Sequence, residues 1–113
     1  MSVSKPPIVL VHGAWAGAWC WRKVLGPLRA AGHEVHAVTL TGVGERAHLM
    51  SPGITLATHV ADVLGLIEAE ELRDVVLVGH SYGGVVITQA GARDKVKALV
   101  YVSGVVPDVG ESL

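Results

Sequence analysis

Val75 to Gly84 read VVLVGHSYGG. The first four residues are apolar and mostly β-branched, a run short enough for a strand buried in a parallel sheet. Gly79-His80-Ser81-Tyr82-Gly83 then fits G-x-S-x-G, and beyond Gly84 the apolar residues recur at helical spacing. A strand that becomes a helix through one serine must turn very tightly, and Gly79 and Gly83 leave room for neighbouring backbone. The hydroxyl is then held at the carboxyl end of a sheet, above a helix N-terminus. Amides and helix dipole there favour developing negative charge. Ser81 is the candidate nucleophile; the competing reading is a Gly-Ser-Gly turn without chemistry.

Upstream, Ile8 to Val11 reads as a first strand, entered through Pro6-Pro7 and ending at His12-Gly13. Trp21, Val24, Leu25 and Leu28 fall at i, i+3, i+4, i+7 and predict a helix between Gly17 and Ala31. Pro27 should break or kink it and Gly32 should stop it. Glu34 to Leu40 is a second strand, and Thr41 to Gly53 a glycine-rich loop without period. Thr55 can cap a helix whose apolar face is Leu56, Val60, Val63, Leu64 and Ile67. Val75 to Val78 is the third strand, the helix after Ser81 runs to about Arg93, and Val96 to Val102 is the fourth strand. Ser103 to Leu113 reads as an irregular tail. Strands alternating with helices predict an α/β fold: a doubly wound parallel sheet of about four strands, helices on both faces. Residues 1–113 are expected to form one domain, without internal repeats.

The bulk composition narrows the function classes. Half of the 113 residues are hydrophobic and 17% are charged, as in a globular chain. A formal net charge of −1 gives no electrostatic pull toward nucleic acid or an anionic membrane. No apolar run approaches the ~18 residues of a membrane span, and the first residues lack a secretory apolar core. A cytoplasmic location is the default. Cys20 is the single cysteine, which excludes an internal disulfide and a thiolate metal cluster and suggests a small buried apolar residue. No histidine pair has convincing metal spacing, so neither metal nor cofactor is expected. His12-Gly13-Ala14-Trp15-Ala16-Gly17 is not G-x-G-x-x-G, and the second strand ends without a ribose-binding carboxylate.

VLVHGAWAGAWCW, TLTGVGERAHL, VVLVGHSYGG and ALVYVSGVVPD together resemble the α/β-hydrolase superfamily. More narrowly they resemble the branch of plant methyl-salicylate esterases, hydroxynitrile lyases and bacterial esterase-like relatives. The resemblance implies the sheet order second-first-third-fourth, with both loops of interest leaving neighbouring strands at a switch point. It implies an oxyanion hole from the backbone amides of Ala14 and Tyr82, and a structural role for His12, which supports the loop. Gly13 would let that loop approach the substrate. His80 should point away from Ser81 into the packing beneath the elbow, as a hydrogen-bonded core histidine. Trp15 and Trp19 either line an apolar acyl or aryl pocket or pack in the core, as does the neighbouring Trp21. His33, His36, His48 and His59 are read as solvated or packed rather than catalytic. Hydroxynitrile lyases carry threonine at the position of Gly13 and glutamate at that of His80, so the chain matches the esterase side. It departs from the branch at Ala16, at Ser103 and in a helix about two residues shorter after Ser81.

A serine nucleophile needs a base and the base needs orienting; in this fold the order is Ser, acid, His. After Ser81 stand only Asp94, Asp108 and Glu111 as acids, and all six histidines lie at or before position 80. The resemblance places acid and histidine beyond Leu113, so the chain reads as the N-terminal half of an α/β-hydrolase fold; Asp108 is a remote candidate for the acid. Two expectations result. The chain is the nucleophile half of a carboxylic-ester hydrolase acting on small or aryl/alkyl esters, poorly active alone. Its Val96–Val102 strand is an apolar edge that pairs with a second polypeptide or with itself. The alternatives are a catalytically incompetent half-domain or ligand-binding relative that self-associates, and, opposed by Gly13 and His80, a hydroxynitrile lyase.

Overall fold

Ile8, Val9, Leu10 and Val11 are all buried, which an alternating strand could not be unless both sheet faces were covered. In the computed structural model, which describes residues 5–103, this is what is found. Strands β1 (Ile8–Val11), β2 (Val35–Val38), β3 (Val75–His80) and β4 (Val96–Val102) pair in parallel in the order β2-β1-β3-β4. Helices α1 (Arg22–Ala30), α2 (Leu56–Ala69) and α3 (Tyr82–Ala90) connect them. Val9, Val11, Val75 and Leu77 point to one face and pack with Val63 and Ile67 of α2 and Val86 and Ile87 of α3. Ile8, Leu10, Val76 and Val78 point to the other, against Trp21 and against Leu25 and Leu28 of α1. Each fully buried side chain of this kind contributes about 1.5–3 kcal/mol. Sheet order and parallel pairing agree with the reading of the sequence.

Boundaries differ in places, each for a local reason. Strand β2 stops at Val38 because the Leu40 amide donates to the His12 ring (3.0 Å) rather than to a strand. Strand β3 runs on to His80, pairing Gly79 with Tyr101 and His80 with Val102. Helix α1 is preceded by a 3-10 turn, Ala18–Trp21, and passes through Pro27 unbroken. The proline removes one helical donor, and Lys23, one turn earlier on the same helix face, is exposed, so that turn faces solvent. Cys20 is exposed, not buried: within the 3-10 turn Trp21 is the residue turned inward. Residues Gly44–Leu49 of the expected loop form a 3-10 turn, kinked at Arg46. Helix α3 ends at Ala90; Gly91 passes so close under β4 that a Cβ there would lie 2.7 Å from Leu99 Cδ2. The α2 face matches expectation, and the Thr55 amide donates to Thr58 Oγ1 (3.1 Å) at its start. Among the described residues no helix is long and apolar enough to cross a membrane. Asp108, Glu111 and the tail after Ser103 lie outside the described residues.

Candidate active site

Between the last residue of β3 and the first of α3 stands one residue, Ser81, at φ 55°, ψ −121°. A residue with a Cβ is strained there by about 1–3 kcal/mol, a conformation that persists only when its surroundings impose it. They do. A Cβ on Gly79 would come within 2.5 Å of the Gly83 carbonyl oxygen, and one on Gly83 within 2.3 Å of the Val11 carbonyl oxygen. The first turn of α3 is therefore pressed against both the end of β3 and the end of β1. The Gly84 amide donates to the Ser81 carbonyl (2.9 Å) and starts the helix. Gly13 lies against the same turn: a Cβ there would be 3.1 Å from Ser81 Cβ. Gly13 and Ala14 from one motif and Tyr82 from the other line one cavity, and Gly13 lies against Ser81.

His12 is fully buried and both its ring nitrogens are engaged. The Leu40 amide can only donate, so Nε2 accepts (3.0 Å) and Nδ1 carries the proton, donating to the Gly13 carbonyl (2.7 Å). The ring ties the end of β1 to the chain leaving β2 and sets the carbonyl of the loop residue. Burial, first of several causes, pushes its pKa below the usual 6.5; the Gly13 bond and Glu45 oppose this more weakly. The depressed pKa means that the unfolded chain takes up a proton at His12 before the folded protein does. Stability from this group is therefore complete above about pH 6.5 and is lost as the pH falls below it. Urea midpoints measured from pH 8 to pH 5 should fall more steeply in the wild type than in His12→Gln. Parallel profiles would show that His12 is not held neutral by the fold.

The loop after β2 is fastened to this corner by polar residues that no sequence pattern marked. Thr39 Oγ1 accepts from the Ala18 amide (2.9 Å) and donates to Glu45 Oε2 (2.6 Å), a bond that holds the Glu45 carboxyl below its ordinary pKa. Asp62 of α2 accepts from the Thr41 amide and from the Thr41 hydroxyl, both at 2.7 Å. Arg46 donates to the Thr39 carbonyl (2.9 Å). Beside Ser81 these loops line an open apolar cavity of about 200 Å³, with Gly13, Ala14, Trp15, Val43, His59 and Tyr82 among its walls.

Two expectations for the site are corrected. His80 is exposed and not a core histidine: it shares the sheet face of Val76 and Val78, where Trp21 meets it edge-on at 6.4 Å and a Cβ on Gly13 would lie 3.2 Å from its Nδ1. Trp15 lines the cavity from the rim, 85% exposed and at φ 64°, whereas Trp19 is half exposed beside Gly17 and does not line it. Among the described residues no histidine hydrogen-bonds Ser81: His33 is bonded to the Pro6 carbonyl, His36 to Glu34, and His59 to Tyr82 and Thr41. Glu34, His36 and Glu70 gather their ligand atoms within 4.8 Å at the far end of β2, where the Glu34–His36 bond (2.6 Å) accounts for the contact.

Comparison with known proteins adds to this geometry. The sequence profile described as "Alpha/beta hydrolase family" matches residues 8–112. A carbendazim-hydrolyzing esterase of Nocardioides sp. is 59% identical over 93% of the chain and 44% of its own length. Esterase PIR7B of Oryza sativa subsp. japonica is 37% identical over 99% of the chain and 43% of its own. Among solved structures, an extracellular alpha/beta-hydrolase from a Paenibacillus species superposes with a TM-score of 0.81 at 30% identity. That match covers 91% of this chain and 42% of that one. The chain thus spans less than half the length of these relatives.

Proposed function

Because the chain belongs to the alpha/beta hydrolase family, we propose that it is the nucleophile-bearing part of a carboxylic-ester hydrolase for small aryl or alkyl esters. The observation that carries this is the strained backbone of Ser81 at the junction of β3 and α3, with the Gly13 loop against it. The esterase names of similar proteins support it. Ser81 Oγ attacks the ester carbonyl while a base takes its proton. The amides of Ala14 and Tyr82 receive the oxyanion. Collapse breaks the bond to the alkoxide, which leaves with that proton, and water then hydrolyses the acyl-serine. Such donors are each worth about 10²–10³ in turnover.

In this reading base and acid come from outside residues 1–113, since every histidine precedes Ser81 and the rings of His12 and His59 are fully bonded. Strand β4, with Val100 and Val102 each 43% exposed at the sheet edge, is where further strands or a second chain would pair. A cytoplasmic setting and the absence of a cofactor belong to the same reading. The second reading is a half-domain without turnover. Hydrolysis of p-nitrophenyl acetate by residues 1–113 alone and by the intact protein separates the two. Turnover by the intact protein only is expected. Full turnover by residues 1–113 would place the base among the upstream histidines, and none from either would leave the half-domain.

A further inference from the structure

The cavity beside Ser81 is walled by two imidazoles and a phenol, yet their polar atoms are spent on the protein itself. The Thr41 carbonyl can only accept, so His59 Nε2 carries the proton and donates to it (3.0 Å). Nδ1 then faces the Tyr82 hydroxyl at 2.8 Å, and the phenol donates to it. Burial pushes the Tyr82 phenol above its ordinary pKa, so it keeps the proton it donates. The two rings meet edge to face, 79° apart with centroids at 5.6 Å. His12, the other imidazole, is bonded on both nitrogens. Among the described residues, what remains facing the cavity is carbon.

We propose that His59 is a positioning residue that sets the specificity of this cavity: by accepting the Tyr82 hydroxyl it pins the phenol ring and hides both polar groups. The cavity then takes an apolar group and rejects one bearing a hydroxyl. Its volume is about 200 Å³, and an apolar cavity of about 150 Å³ holds one benzene, so a single ring with a small substituent fits. That this group is part of an ester rests on the hydrolase reading above; the character of the cavity does not.

Toluene and phenol have nearly the same shape and neither is an ester, so their Kd values, from NMR titration of the intact protein, test the cavity apart from hydrolysis. The wild type should prefer toluene, since a ligand hydroxyl left without a partner loses about tenfold or more in affinity. In His59→Ala the Tyr82 hydroxyl is freed, and in Tyr82→Phe the His59 Nδ1 is freed. In both the toluene preference should fall about tenfold, since the ligand hydroxyl gains a partner. The double variant His59→Leu with Tyr82→Phe removes both polar groups and should restore it. A purely structural role would weaken both ligands together and leave their ratio unchanged. An unchanged ratio in the single variants, or no binding of either probe at Leu40 and Val43, would overturn the proposal.

Discussion

Ser81→Ala should lower p-nitrophenyl acetate turnover by the intact protein about a million-fold, down to the roughly thousand-fold over water that an oxyanion hole and binding can supply alone. The size of this loss follows from how the nucleophile acts. Without the hydroxyl no acyl-serine forms, and a base has nothing to deprotonate, so its own contribution disappears with that of Ser81. A loss of only tenfold would mean that hydrolysis runs through another group or through water, and the acyl-enzyme reading would be abandoned. The same position offers a second, opposite readout. Alanine retains the Cβ at φ 55° and so retains the strain, whereas Ser81→Gly relieves it. Ser81→Gly should be equally inactive but more stable by about 1 kcal/mol, from the strain released less the entropy glycine adds to the unfolded chain. Urea midpoints of the two variants, compared side by side, measure the strain that holds the hydroxyl in place. Equal midpoints would mean that the turn is not strained.

The difference between what the sequence disclosed and what it hid is a difference between local and distant causes. Ser81 was legible because everything that positions it is adjacent: an apolar strand, two glycines and a helix follow one another without a gap. The two cores were legible as well, since β1 and β3 are apolar at nearly every position and so had to be covered on both faces. His59 with Tyr82, Thr41 with Asp62, and Ala18 with Thr39 were not, because their partners lie 21–23 residues apart and each residue alone resembles a solvated loop or helix position. No period marks such a pair. His12 stands between the two cases. Its place at the end of a strand suggested loop support, but only the Leu40 amide, 28 residues away, shows which nitrogen is protonated. His80 was expected in the core from the resemblance, but strand alternation continued two residues past Val78 puts it on the side of Trp21, at the exposed end of β3.

Gly83→Ala should destabilise the protein by about 3 kcal/mol or more, the upper end of what overpacking costs a well-filled core. The added methyl would sit 2.3 Å from the Val11 carbonyl oxygen and 2.8 Å from that of His12. Both belong to backbone at the end of β1, which is hydrogen-bonded to β2 on one side and β3 on the other. No flexible side chain is there to give way. Helix α3 has little room to retreat, since Gly83 to Thr88 are all buried. The Tm of Gly83→Ala should fall well below that of the wild type. The control is the same substitution in another connecting helix. Gly65 lies in α2 with nothing within 4 Å of a Cβ, and there alanine removes a helix-disfavouring glycine, so stability should rise by up to about 1 kcal/mol. One methyl group thus has opposite signs at two helical glycines, and the sign is decided by whether the helix must touch a strand. A wild-type Tm for Gly83→Ala would show that α3 does not press on β1. The close approach that brings the Gly13 loop to Ser81 would then lose its cause.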